Sequence, residues 1–305
     1  MPPRPRSRAR IGGSGLLLLT PLIWGATFPA TKLALETLPL LAFSAWSRFL
    51  GLLAVAAVIP FVRVSRAEVR RVLAPGALLG ALMFGAFLLQ SAGIERTEAT
   101  KAGFITGLYV ALTPLLGLLL FRHRVSAAGW IAALVSVGGL YLLSAPDPTT
   151  FRIGAGDALV ALSAVVWAVH ILVLGRVAGR HPAILLGFAQ MAAAAALHVA
   201  VAAPGGLRPA VALEAWHLLV ITGVLGSGVA FTIQVFGQQE VGAARAAIIL
   251  AGESVVAALL SAIWLDERLL WHQWIGAAIM LAAMAMSELG ARRQPVERLD
   301  PAAVP

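Results

Sequence analysis

Residues 102–121 read AGFITGLYVALTPLLGLLLF, a run of twenty residues without a charged side chain. A helix rises about 1.5 Å per residue, so about 20 apolar residues cross the hydrocarbon core of a bilayer. The run is therefore predicted to be a membrane-spanning helix. Outward from it in both directions, further apolar runs alternate with short gaps that hold the turn-forming and charged residues.

Ten stretches in all meet this length and composition rule. They cover residues 12–34, 39–61, 72–92, 102–121, 127–145, 157–175, 183–203, 215–236, 246–265 and 272–290. The predicted fold class is therefore all-α integral membrane, with ten transmembrane helices. The polar segments 1–10 and 291–305 are expected to be cytoplasmic tails.

Composition supports the membrane assignment and excludes several functions. The chain of 305 residues is 60% hydrophobic and 12% charged, against about 25% charged in soluble domains. The net charge of +9 does not indicate nucleic-acid binding, because the basic residues lie in gaps between apolar runs. Absence of cysteine excludes disulfides and thiolate metal sites. No metal and no cofactor are expected.

The positions of lysine and arginine predict the orientation. With the N-terminus inside, sixteen of the 23 fall in cytoplasmic segments, six fall on the opposite side, and Arg48 lies within the second span. Cytoplasmic loops carry an excess of basic residues. We therefore expect both termini in the cytoplasm, in the cytoplasmic (inner) membrane of a bacterium.

The chain also repeats itself. A shift of 144 residues aligns Gln90 with Gln234 and Trp130 with Trp274, and a shift of 143 aligns Trp24 with Trp167. Each half then holds five spans, an odd number, so the second half enters the membrane the other way up. The prediction is a first five-span repeat at 11–145 and a second, inverted one at 156–290.

Three phrases carry a resemblance: PLIWGATFPATKLAL at 21–35, AGFITGLYVALTPLLGLLL at 102–120 and ESVVAALLSAIWLDERL at 253–269. In this order they resemble the EamA-type branch of the drug/metabolite transporter superfamily, over roughly 11–290. The resemblance implies ten spans in two halves and secondary transport through a central cavity. The family often has proline after the acidic residue of the ninth span, where this chain has Ser254.

Ionisable side chains inside a bilayer are costly and mark candidate sites. Glu253 in the ninth span is either a proton- or cation-coupling carboxylate or a helix-packing residue. Arg48 either attracts an anionic group of the substrate or serves a structural role, as an ion pair or by snorkelling. His198 is expected near the interface.

Polar and aromatic residues at matching places in the two halves are candidates for substrate binding. Gln90 and Gln234 either contact substrate or join helices, and the two tryptophans either line a cavity or pack in the core. Alignment of the halves opposes either Tyr109 or Thr113 to Glu253. The expected substrate-binding set is Trp24, Gln90, Tyr109, Trp167, His170 and Gln234.

Together with the resemblance, these residues predict a secondary transporter, an exporter of small metabolites or drug-like compounds, with proton coupling left open. The alternatives are an integral membrane enzyme or scramblase acting on lipid-linked substrates. No enzyme is expected, because the spans lack HExxH, GxSxG and P-loop motifs. The expected partners are a small-molecule substrate and membrane lipid, and no nucleic acid. The chain is expected to be a monomer or homodimer, with Gly76–Gly80 and Gly103–Gly107 packing within it.

Overall fold

The computed structural model describes residues 13–122, 126–144 and 153–291. Within these ranges the chain forms helices joined by short turns, and no β-strand occurs. The predicted tails lie outside the described residues, apart from Ala291. We number the long helical segments α1 Gly15–Thr37, α2 Leu40–Phe61, α3 Arg66–Ile94, α4 Ala99–Phe121, α5 Ala127–Ser144, α6 Ala155–Arg180, α7 Ala183–Gly205, α8 Trp216–Gln238, α9 Ala243–Trp264 and α10 Trp271–Ala291.

Eight of these segments in the described part of the chain, α1–α4 and α6–α9, are long and apolar enough to cross a membrane. In α5, residues Gly129–Leu142 form a shorter apolar helix. Large apolar side chains remain exposed on the outside of the bundle, for example Leu119 at 67%, Leu134 at 64% and Ile263 at 70%. Such a surface suits lipid rather than water. The described residues thus give a helical membrane protein with eight candidate spans.

Helix α3 begins at Arg66, six residues before the predicted start at 72. Ser65 provides the reason, because its side chain accepts a hydrogen bond from the Glu68 backbone N–H (3.2 Å) while the Glu68 carboxylate accepts from the Ser65 N–H (2.7 Å). This capping box satisfies backbone donors at the helix start. The first turn of α3 is polar, so the apolar pattern of the sequence placed the start of this helix later.

Packing partners recur between the two halves. α1 packs against α8 and α9, and α6 packs against α3 and α4. α2 packs against α8, and α7 packs against α3. Three further contacts join helices that occupy the same place in the order of each half: α2 with α7, α4 with α9 and α5 with α10.

Glycines allow the closest of these approaches. A Cβ at Gly93 of α3 would lie 2.7 Å from the Gly156 carbonyl oxygen, and one at Gly237 of α8 would lie 2.8 Å from Leu17 Cδ1. Likewise, a Cβ at Gly223 of α8 would lie 2.7 Å from the Ser47 carbonyl oxygen. Gly76, Gly80, Gly103 and Gly107 also face other helices of the same chain, so the prediction that they pack within the chain is confirmed.

We expect Gly93→Ala to destabilise the fold, because the added methyl group would meet backbone atoms of α6 at 2.7 and 3.0 Å. Overpacking of this kind costs about 1–3 kcal/mol. Gly85→Ala is the matched control, since Gly85 lies in the same helix with nothing within 4 Å of its added Cβ. Thermal unfolding in detergent checks this, and equal melting temperatures for the two variants would contradict it.

Helix α8 contains a π-helical stretch at Val220–Ala230. A π-helical turn accommodates one inserted residue in an α-helix. The sequence repeat predicts such an insertion in α8, because Gly80 and Gly223 lie 143 positions apart whereas Gln90 and Gln234 lie 144 apart. The π-helical stretch overlaps the segment between Gly223 and Gln234 in which the extra residue is expected.

Candidate functional site

A cavity with an empty volume of about 380 Å³ lies between α1, α3, α4, α6, α8 and α9. Each of these helices contributes side chains to its wall. The lining residues are Trp24, Thr27, Phe28, Phe87, Gln90, Thr106, Tyr109, Trp167, Ile171, Phe231, Gln234 and Glu253. A largely apolar pocket with a few convergent polar groups is typical of a small-molecule site.

Six aromatic side chains line this wall, and four of them pack on one another. Trp24 packs on Phe231 with ring centroids 4.6 Å apart, and Trp167 packs on Phe87 at 4.8 Å. Trp167 and Phe231 are themselves 5.5 Å apart. Rings at these separations form a continuous aromatic surface, which can contact the apolar part of a ligand.

Gln90 and Gln234 both place an amide group in the wall of the central cavity, but their hydrogen bonds differ. Gln90 donates to the Thr106 hydroxyl (3.2 Å) and accepts from the Trp167 indole N–H (3.3 Å). In the other half, the Trp24 indole donates to the Gly226 carbonyl of the π-helical stretch at 2.9 Å. The side-chain oxygen of Gln234 is buried without a hydrogen-bond partner among the described residues.

Helices α4 and α9 are interrupted where they reach the cavity. α4 breaks at Leu108 and resumes at Tyr109, and α9 breaks after Leu250 and resumes at Glu253. At both breaks backbone hydrogen bonds tighten to residues three apart, such as Leu108 to Ile105 (3.2 Å). Interrupted helices near the midplane are a recurring feature of transporter binding sites.

Glu253 is 3% exposed and Tyr109 2% exposed, and both line the cavity. The Tyr109 hydroxyl is close enough to interact electrostatically with the Glu253 carboxylate, yet it makes no hydrogen bond of normal geometry. Thr113, the other residue that sequence alignment opposed to Glu253, is buried outside this wall. The next residue, Ser254, donates to the Gly103 carbonyl (2.7 Å) and ties α9 to α4.

His170 departs from the expected position. It is fully buried, lines neither of the two cavities described here, and its Nε2 lies 3.2 Å from the Gln190 side-chain oxygen on α7. At about 100° per residue, a residue three after Trp167 points about 60° away from it, whereas one four later points only about 40° away. Ile171 therefore takes the cavity position, and the placement of His170 in the cavity wall is corrected.

A second cavity of about 340 Å³ adjoins the first and shares five of its lining residues. Arg48 lines it, together with Thr31, Ser91 and Thr222. His198 lies beyond the shared Phe87, 2% exposed, with its ring 4.8 Å from Phe84. Aromatic neighbours on α3 therefore enclose the His198 ring, and its expected place near the membrane interface stays a prediction.

Polar residues join four helices at one end of the bundle, and we call Lys32, Thr97, Lys101, Asp157 and Glu267 the polar end cluster. Asp157 forms an ion pair with Lys101 (2.6 Å) and accepts from the Thr97 hydroxyl (2.6 Å). Lys32 donates to three carbonyls at the end of α3, and the Glu267 carboxylate accepts from two N–H groups at the start of α4. These bonds link α1, the end of α3, α4, α6 and the turn after α9.

The expected set of site residues omits six residues of the central wall, which are Thr27, Phe28, Phe87, Thr106, Ile171 and Phe231. The repeat contained a usable signal for two of them. The shift of 144 that pairs Gln90 with Gln234 also pairs Phe87 with Phe231. Thr106 pairs with Leu250 and had no such signal.

Comparisons of the sequence with known proteins show which proteins the chain is similar to. The sequence pattern of the EamA-like transporter family matches the chain twice, over residues 11–145 and 154–288. An uncharacterized transporter of Archaeoglobus fulgidus is 29% identical over 273 residues, which are 90% of this chain and 84% of that protein. An uncharacterized transporter of Synechocystis is 24% identical over 68% of each protein.

A solved crystal structure is similar in fold to the chain. It has a TM-score of 0.73 and 21% sequence identity, and the alignment covers 93% of this chain and 98% of that one. At this identity the likeness shows the arrangement of helices alone.

Proposed function

Because the chain belongs to the EamA-like transporter family, we propose that it is a secondary transporter that exports small metabolites or drug-like compounds through the central cavity. The observation that carries the proposal is the cavity wall itself. It combines six aromatic rings with two amides and a carboxyl group, and six helices from both family matches contribute to it. Such a wall offers apolar contact together with hydrogen bonds for orientation.

We further propose that the two matched segments are inverted five-helix repeats, giving ten spans with both termini in the cytoplasm of a bacterium. The exchanged packing partners of α1 with α6 and of α2 with α7 support this arrangement. Corresponding residues also occur in the wall at fixed shifts, Trp24 with Trp167 and Tyr109 with Glu253. The excess of basic residues on one side supports the orientation.

Inverted repeats provide a physical route to alternating access, in which one half rocks against the other around a fixed site. The unequal hydrogen bonds of the two glutamines fit this idea. Trp167 is bonded to Gln90, whereas Trp24 is bonded to a backbone carbonyl and not to Gln234. In the opposite-facing conformation the two halves would exchange these arrangements.

Flux in proteoliposomes tests the proposal. Vesicles with purified protein are loaded with labelled amino acids, organic acids and amphipathic dyes, and protein-dependent efflux is followed. We expect efflux of at least one compound, and Trp167→Ala should reduce it about tenfold or more, as loss of a central aromatic contact does. Trp46→Ala is the matched control, because Trp46 bonds to the Leu207 carbonyl and lines neither described cavity.

The same vesicles separate the alternatives. Movement of labelled phospholipid between leaflets without solute efflux would make the protein a scramblase and contradict the proposal. Efflux that Trp167→Ala leaves unchanged would place the pathway away from the central cavity.

A further inference from the structure

Arg48 is a buried cation without a counter-ion in the described part of the chain. It lies within α2 and is 2% exposed. It takes part in neither the Arg96–Glu95 nor the Lys101–Asp157 ion pair, and its Nε and Nη1 have no hydrogen-bond partner among the described residues. A guanidinium normally carries five N–H donors and stays charged, so this side chain has unused capacity to bind an anion.

The flat face of the Arg48 guanidinium stacks on the Phe87 ring. The Arg48 Cζ lies 3.6 Å from the centroid of the Phe87 ring, the geometry of a cation–π contact. This contact uses the flat face and leaves the edge, with its N–H groups, available. Because Phe87 also lines the central cavity, the cation is fixed beside the aromatic wall.

The second cavity brings other polar groups to the same place. Thr31, Ser91 and Thr222 line it with Arg48. Trp24, Thr27, Phe28, Phe87 and Gln90 line both cavities, so the two spaces adjoin. Glu253 lines only the central one. A ligand that fills both spaces would meet a cation at one end and aromatic rings at the other.

We propose that Arg48 binds the carboxylate of an amphipathic organic anion whose apolar part lies in the central cavity, which names the substrate class of the proposed transporter and rests on that function. The guanidinium edge matches the two oxygens of a carboxylate. In apolar surroundings their attraction is much stronger than in water. An unpaired buried cation gains its missing partner when the anion enters.

Matched pairs of compounds test this in purified, detergent-solubilised protein. The probes are 3-phenylpropanoate and octanoate, each compared with its uncharged amide, and binding is measured by calorimetry and by the ligand-induced shift in melting temperature. Wild-type protein should bind at least one carboxylate about tenfold or more tightly than its amide. Arg48→Gln should remove that preference, and Arg48→Lys should retain part of it.

Arg176→Gln is the control, because Arg176 also stacks over an aromatic ring, with its Cζ 3.5 Å from the Phe121 centroid, and lines neither described cavity. It should keep the wild-type preference. If Arg48→Gln does not fold, the comparison of acid with amide on the wild type and on Arg48→Lys still decides the question.

The proposal is wrong if neither carboxylate binds the wild type more tightly than its amide, or if Arg48→Gln keeps the preference. It is also wrong if acidic phospholipid binds in an Arg48-dependent manner and neither soluble carboxylate does, since the site would then hold a lipid headgroup. If the inference fails in one of these ways, continued efflux of uncharged compounds by Arg48→Gln in proteoliposomes would show that the proposed transport function still stands.

Discussion

Glu253→Gln is expected to abolish accumulation of substrate against its gradient. Among the described residues that line the central cavity, Glu253 supplies the carboxyl group, and it is 3% exposed. If transport is proton-coupled, one group must gain and lose a proton as access alternates. Glutamine keeps the size and hydrogen-bonding capacity of the side chain but cannot bind and release a proton as a carboxyl group does.

A proteoliposome with a gradient of one pH unit measures the effect. One proton per substrate then supplies about 1.4 kcal/mol, enough for about tenfold accumulation. We expect wild-type vesicles to approach this ratio and Glu253→Gln vesicles to reach only equal concentrations, while exchange of labelled for unlabelled substrate continues. His170→Gln is the control, because His170 lies outside the cavity wall. Accumulation by Glu253→Gln at the wild-type rate between about pH 6 and 8 would show that the residue is structural.

Lys101→Met is expected to destabilise the end of the bundle that the polar end cluster holds together. The Asp157 side chain is 4% exposed and loses its cationic partner in this variant. Breaking a buried ion pair by removing one partner costs about 3–5 kcal/mol, because the remaining carboxylate stays buried without its counter-ion. The melting temperature in detergent should fall, and by more than in Arg96→Met, which removes the more exposed pair with Glu95.

A double variant separates the ion pair from other contacts of Lys101. Lys101→Met with Asp157→Asn removes both charges and should be more stable than Lys101→Met alone. If the single and double variants melt at the same temperature, the ion pair does not hold this end of the molecule together.

The sequence predicted helix positions well because lipid imposes one simple rule on every span. Predicted and observed limits agree within a few residues for most helices, for example 102–121 against Ala99–Phe121. The largest difference is at α3, where a polar capping box rather than apolar content sets the first residue. The sequence repeat also singled out Trp24, Gln90 and Gln234 as candidate cavity residues, and all three line the central cavity.

Finer geometry was less accessible to sequence reasoning. Whether His170 or Ile171 faces the cavity depends on how α6 is rotated about its own axis relative to its neighbours. The spacing from Trp167 does not fix this rotation, because residues three and four positions later both lie near the same face of the helix. The single-residue insertion in α8 was visible only as two different shifts. Where the helix would absorb it, as a π-helical stretch at Val220–Ala230, depends on packing against α1 and α2.

Accessibility of the cavity from both sides of the membrane tests alternating access most directly. The chain has no cysteine, so Thr27→Cys places a single thiol in the wall of both cavities. A charged, membrane-impermeant maleimide is applied to right-side-out and to inverted vesicles, with Leu119→Cys on the lipid-facing surface as the control. Alternating access predicts labelling of Thr27→Cys from both sides, slowed by transported substrate, and no labelling of Leu119→Cys. Labelling of Thr27→Cys from one side only, with substrate present or absent, would contradict it.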